Sequence, residues 1–146
     1  MHFSLSSEQS AFADAVGRFA REKLAPGALE RAHQPEYPWD IAAMLSEQGL
    51  LGITLSEEDG GQGGTLMDAV IAIQEVALHC PKSADVVQAG NFGAIRTFAE
   101  YATPAQKEKY LPDLLAGKKV IALGMSEPGA GSAVTALYLR VSKRWS

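Results

Sequence analysis

Thr103-Pro104-Ala105-Gln106-Lys107-Glu108-Lys109-Tyr110-Leu111-Pro112-Asp113-Leu114-Leu115-Ala116-Gly117 reads as one helix with both of its ends encoded. Thr103 suits the N-cap, Pro104 the first helical position and Gln106 the third, where its amide can reach back to the N-cap N–H. Tyr110, Leu111, Leu114 and Leu115 recur at helical spacing, and Gly117 supplies the stop. Pro112 lies inside and is expected to bend or split the helix, because it lacks the donor that the ladder needs.

The stretches upstream follow the same logic. Ser83 to Tyr101 keeps helical periodicity in Val86, Val87, Phe92, Ile95, Phe98 and Ala99, although Gly90 and Gly93 each weaken it by about 1 kcal/mol. These two small residues, three apart, suit close approach of a neighbouring helix or a ligand. Thr65 and Asp68 open a helix through Val70, Ile73, Val76 and Ala77 that stops before Pro81. Between this and a short helix carrying Trp39, Ile41, Ala42 and Leu45 runs the apolar connector Leu50 to Leu55, then Ser56-Glu57-Glu58-Asp59-Gly60-Gly61-Gln62-Gly63-Gly64, a surface loop. Ser6-Ser7-Glu8-Gln9 has the capping-box form. It starts a helix with Phe12, Val16, Phe19, Ala20 and Leu24 on one face, closed by Pro26-Gly27. Residues 6 to 116 should therefore form an all-α bundle of about five helices, with Phe12, Phe19, Leu45, Ile73 and Phe98 buried together.

Downstream, Val120-Ile121-Ala122-Leu123-Gly124-Met125 reads as a short strand and leads into Ser126-Glu127-Pro128-Gly129-Ala130-Gly131-Ser132. A hydroxyl followed by a rigid, glycine-rich turn exposes main-chain donors. Glycine also permits positive φ and close approach, which suits a phosphate or a heteroaromatic edge. Gly129-Ala130-Gly131 brushes against the dinucleotide fingerprint. The third glycine is missing, Pro128 intervenes and helices precede the turn, so a Rossmann unit is rejected. No Walker motif or HExxH is present, and no metal site is assigned.

Composition narrows the class. The 146 residues are 47% hydrophobic and 21% charged, the balance of one ordinary domain. Cys80 is the single cysteine, which rules out an internal disulfide. Its place suggests a plain, half-buried residue at a helix end. The Met1-His2-Phe3-Ser4 start lacks a basic region and a long apolar run, and no stretch approaches the roughly 18 apolar residues of a membrane span, so a cytoplasmic location is expected. The net charge of −4 carries no basic stripe with interleaved aromatics, which argues against nucleic acid. The charge is uneven: residues 1–127 hold all 17 acids against 10 Lys or Arg, a net of −7. Arg140, Lys143 and Arg144 make the last 19 residues +3.

Taken in order, Ser6-Ser7-Glu8-Gln9, Gly49-Leu50-Leu51-Gly52-Ile53, Glu57-Glu58-Asp59-Gly60-Gly61-Gln62-Gly63, Thr103 to Pro112 and Met125 to Ser132 resemble the N-terminal domain of acyl-CoA dehydrogenases over residues 3 to about 134. The resemblance implies a helical domain over residues 1–119 and, over 120–146, the start of a truncated middle β domain with an aberrant tail. It implies FAD as cofactor on an incomplete site. Leu123, Met125 and Ser126 would meet the flavin, with Gly131 and Ser132 near the flavin and Ser132 near the thioester arm. The implied partners are an acyl-CoA substrate, an electron-transferring flavoprotein and further copies or subunits in a homo- or hetero-oligomer, with neither nucleic acid nor membrane. In that family a glutamate from a C-terminal helical domain removes the α-proton while a hydride passes to the flavin. None of the 17 carboxylates here corresponds to it, so no catalytic residue is assigned and the chain alone is expected to be inactive. Glu127 precedes a proline in the loop and is read as a geometric element rather than a base. The family usually has Asp where Ala133 stands, and residues 135 to 146 no longer resemble it, which suggests truncation or frameshift. Flavin monooxygenases and acyl-CoA oxidases resemble the same scaffold, and a non-catalytic helical interaction module or partner subunit is the remaining alternative.

Overall fold

The computed structural model describes residues 4–133 and 135. Seven α-helices are found among them: α1 (Ser7–Phe19), α2 (Ala28–His33), α3 (Trp39–Glu47), α4 (Leu66–Ala77), α5 (Pro81–Ala89), α6 (Ala94–Tyr101) and α7 (Pro104–Leu115). Three begin with reciprocal capping boxes. Gln9 N–H donates to Ser6 Oγ (3.1 Å) and Ser6 N–H to Gln9 Oε1 (3.1 Å). Thr65 and Asp68 do the same at α4, as do Thr103 and Gln106 at α7. Each side chain satisfies one of the amide donors that a helix start leaves without a partner.

Four expectations are revised. The first helix does not run as a regular α-helix to Leu24. It passes into a π-helical turn over Ala20–Leu24, with Ala25 N–H reaching Ala20 O at 2.9 Å, and then gives way to the unforeseen α2. The helix expected over residues 83–101 is two helices. Gly93, with φ 62° and ψ −120°, takes a conformation closed to ordinary L-residues and breaks the run. Pro112 does not split α7, since it sits in the closing turns where little ladder remains. The run at residues 120–125 is not paired as a strand among the described residues. Among the described residues the only β pairing is the isolated bridge between Glu127 and Ala130.

Burial divides into two cores. The larger joins α1, α3, α4 and α5 through residues such as Leu24, Leu45, Val76 and Val87, with Phe12, Phe19 and Ile73 partly buried against it. The smaller is made by Leu55, Ile95, Leu111 and Leu114, with Phe98 and Ile121 packed on it. Phe98 therefore does not share a core with the other four aromatic and aliphatic markers. The break at Gly93 turns α6 toward α7 and away from α4.

The apolar connector, the glycine-rich loop and Asn91 tie the two cores together. A Cβ on Gly52 would lie 2.4 Å from Leu115 Cδ2, so Leu115 of α7 seats against bare backbone. Lys107 of α7 reaches Asp59 of the loop at 2.9 Å. Asn91, fully buried, donates from Nδ2 to Leu50 O and Val87 O (both 2.8 Å), while Thr54 Oγ1 donates to Asn91 O at 2.6 Å. With Oδ1 also accepting from Thr54 N–H at 3.4 Å, the buried side-chain amide has three backbone partners and little is left unsatisfied.

Candidate functional site

The chain leaves the bundle at Gly117, whose φ of 67° and close seat against Ala42 leave no room for a side chain. The N–H groups of Lys118 and Lys119 both go to Asp113 O (2.9 and 3.1 Å), and Lys119 Nζ pairs with Asp113 Oδ2 at 2.7 Å. The Lys119 ammonium holds the Asp113 carboxyl below the usual range. Beyond this clamp Ile121 rests on the smaller core, while Val120, Leu123 and Met125 stand out at 48, 59 and 53% exposure. None of the N–H groups of residues 120–126 finds an acceptor among the described residues.

A tight turn then closes. Glu127 N–H donates to Ala130 O and Ala130 N–H to Glu127 O, each at 3.0 Å, with Pro128 and Gly129 between them. Gly129 and Gly131 are not among the glycines at positive φ. What these glycines supply is room. Among the described residues a Cβ on Gly124, Gly129 or Gly131 would meet nothing within 4 Å.

The five residues assigned from the sequence fall on the two arms of this turn. Leu123, Met125 and Ser126 precede it and Gly131 and Ser132 follow it, all exposed. The bridge brings the arms together at Glu127 and Ala130. Glu127 is half-buried and serves as the bridge residue. The tail read as aberrant lies, but for Ala133 and Thr135, outside the described residues.

Two buried groups escaped sequence reasoning. Asn91 is one; its only signal was a polar residue between two glycines. Cys80 is the other, and it is fully rather than half buried, because α4 and α5 close over it. Burial, the largest influence, pushes its thiol up. The Ser83 hydroxyl donating to Sγ at 3.0 Å, the Ser83 backbone and the Arg31 guanidinium at 3.8 Å together outweigh burial and leave it below its ordinary value. Arg31 also donates to the Leu24 carbonyl, which ties α2 to the π-turn. Among the described residues no three His, Cys, Asp or Glu cluster as metal ligands, and no helix is long and apolar enough to cross a membrane.

Comparison with known proteins fits this geometry. Residues 6–118 match the family described as acyl-CoA dehydrogenase, N-terminal domain. The chain is 35% identical to a 3-sulfinopropanoyl-CoA desulfinase of Paraburkholderia xenovorans over 97% of its own length and 36% of that protein. It is 32% identical to a short-chain-specific acyl-CoA dehydrogenase of Clostridium acetobutylicum, over 90% of its own length and 35% of that enzyme's. Its fold superposes on butyryl-CoA dehydrogenase from Megasphaera elsdenii with a TM-score of 0.72 and 30% identity, over 92% of this chain and 36% of the other. The chain thus spans about a third of the length of these relatives, and it belongs to the acyl-CoA dehydrogenase N-terminal domain family.

Proposed function

We propose that this chain is the N-terminal portion of a flavin-dependent acyl-CoA dehydrogenase, with residues 120–133 forming one side of a FAD and thioester site. The observation that carries the reading is the family match running directly into a segment with unengaged N–H groups and open glycine faces. That segment fits a planar, hydrogen-bond-accepting cofactor. Leu123 and Met125 would offer apolar contact, and Ser126 a hydroxyl. Gly131 and Ser132 would approach flavin and thioester, with Ser132 touching the substrate. Bound FAD would supply the hydride acceptor. The chain's own contribution is electrostatic, as donors fixed beside a site of developing negative charge stabilise it without reorganising. An acyl-CoA substrate, an electron-transferring flavoprotein, an oligomeric state, a cytoplasmic setting and the domain division at 119/120 belong to the same proposal.

The resemblance to a desulfinase supports a second reading, in which the same scaffold serves release of sulfite from a sulfinoacyl-CoA. Both readings share an acyl-CoA thioester as ligand. With FAD, an acyl-CoA series and an artificial electron acceptor, the isolated chain is expected to give no turnover, since a positioned general base alone is worth about 10² to 10⁴-fold. Reconstituted with a polypeptide supplying the remaining two thirds of the Clostridium relative, it is expected to retain FAD and reduce the acceptor. Release of sulfite from 3-sulfinopropanoyl-CoA without acceptor reduction would favour the desulfinase. A folded pair that retains no FAD would overturn the proposal.

A further inference from the structure

We propose that α6, α7 and the residues as far as Ile121 form an arm that swings as one body on Phe92 and Gly93, held shut by an ionic latch between Lys107 and Asp59. The inference does not rest on the flavin-side reading. Backbone bonds mark where the swing is possible. The last bond on the side of α5 is Phe92 N–H to Gln88 O at 2.9 Å, and the first on the side of α6 is Thr97 N–H to Gly93 O at 3.1 Å. Asn91 is anchored by Leu50, Val87 and Thr54, and Phe92 packs on the larger core, so the body of the molecule is firm up to that point. Gly93 then takes φ 62° and ψ −120°, and among the described residues a Cβ there would meet nothing within 4 Å. A glycine in open space turns at little steric cost.

Packing keeps the arm whole. Among the described residues the smaller core is Leu55, Ile95, Leu111 and Leu114, and of these only Leu55 comes from the body. Phe98, Ala99, Leu115 and Ile121, which pack on it, all belong to the arm. Past α7 the chain stays with the arm, because the N–H groups of Lys118 and Lys119 both go to Asp113 O. The joint between arm and body is looser. A cavity of about 20 Å³ lies in it, with Leu51, Val86 and Gly90 on one side and Ile95, Leu114 and Ile121 on the other. Clefts of about 380 and 290 Å³ lie between the loop at Asp59 and, respectively, α7 and α6. Near the end of α7, Gly117 against the Ala42 backbone and Leu115 against Gly52 make a close seat that serves as fulcrum. At the other end Lys107 Nζ lies 3.0 and 2.9 Å from the two Asp59 carboxylate oxygens, about 15 Å along the helix from Gly117. A contact so far from the fulcrum governs the swing. Because the pair is mostly shielded, losing one charge leaves the other uncompensated and favours an open position in which water reaches it.

Spin-label distances measured on the full chain test the swing. One label goes on Ala105→Cys, exposed near the start of α7, and the other on Gln74→Cys, exposed on α4; Cys80 is buried and leaves the labelling to these two. Asp59→Asn, which removes the charge and nearly keeps the shape, is expected to raise the share of a second distance about fivefold or more. Asp59→Glu keeps the charge and is expected to stay near the native distribution. The control pair Gln74→Cys with Gln88→Cys, both exposed on the body, should keep one distance throughout. The helical circular-dichroism signal should persist, since a swing breaks no helix. Salt gives an independent reading on the native latch. Screening shortens from about 30 Å at 0.01 M to about 3 Å at 1 M, and should move the distances in the same sense as Asp59→Asn but less, because the pair is shielded. An arm-to-body distance unchanged by Asp59→Asn overturns the proposal, and if that variant does not fold, the salt series decides in its place. Equal opening in Asp59→Glu or a shift in the body pair also overturns it. So does a change in distance that comes with lost helical signal, which would be unfolding rather than a swing. Distance is the readout here and flavin retention is the readout above, so either proposal can fail without the other.

Discussion

Gly52 shows how much a single missing side chain can hold. Its φ of 72° is matched by the 73° of Gly27, so alanine at either position meets the left-handed cost of about 1 to 2 kcal/mol. At Gly27 the nearest neighbour of a new Cβ is Nη1 at the tip of the Arg31 side chain, at 3.1 Å. At Gly52 it is Leu115 Cδ2, at 2.4 Å, in the smaller core. Overpacking of that kind adds about 1 to 3 kcal/mol. Gly52→Ala is therefore expected to lower the urea midpoint distinctly more than Gly27→Ala, and equal midpoints would show that Leu115 yields freely. Sequence marked Gly52 within an apolar connector and the family-like run Gly49 to Ile53 but not its contact, since its partner lies in a distant helix and spacing carries no record of it. Cys80 teaches the same lesson. Its position at a helix end was legible, whereas the closure of α4, α5 and Arg31 around it was not. Its depressed thiol would favour reaction with a disulfide reagent, but burial denies access. The expectation is that the native chain stays inert to such a reagent and reacts only as fast as it opens; immediate labelling would contradict the packing.

Among the elements, helix starts were readable because their chemistry is local. Ser6 with Gln9, Thr65 with Asp68 and Thr103 with Gln106 each meet within one turn, and all three boxes form. Replacing Thr103 by alanine should cost about 1 kcal/mol, measured by denaturant unfolding, with a cost near zero indicating that Pro104 alone defines the start. Helix ends and breaks were less legible. Gly90 and Gly93 lowered propensity without revealing that the chain would turn between them, and it is the Asn91 side chain, bound to Leu50 and Val87 carbonyls, that fixes the turn in place. Asn91→Ala would strand two buried carbonyls, at about 1 to 3 kcal/mol. The strand read at 120–125 is not seen among the described residues for a different reason. Its apolar run is strand-like, but pairing needs a partner, and the described residues contain none. The site residues there were named from the family motif, and the structure adds their exposure and the turn at Glu127 and Ala130.

At the scale of the molecule, the division into two cores predicts two stabilities. Sixteen buried residues tie α1, α3, α4 and α5 together, whereas only four anchor α6 and α7 around Leu55. Apolar burial scales with area removed from water, so the smaller core contributes less to holding its helices closed. Three contacts partly compensate: Leu115 against Gly52, Lys107 with Asp59, and the Asn91 node at the hinge. The Lys107–Asp59 pair is mostly shielded, with side-chain exposures of 28 and 17%, so it should contribute more than a surface pair. Native-state hydrogen exchange separates these terms. Amides of α6 and α7 are expected to exchange through an opening of lower free energy than those of α4 and α5, and Lys107→Ala should speed exchange in α7 while leaving α4 and α5 near their original rates. Because the segment bearing residues 120–133 follows α7, that opening would also set how firmly the segment is held. Uniform exchange at the global unfolding free energy in all four helices would mean that the two cores act as one, and that Leu115 and the loop transmit stability across the whole chain.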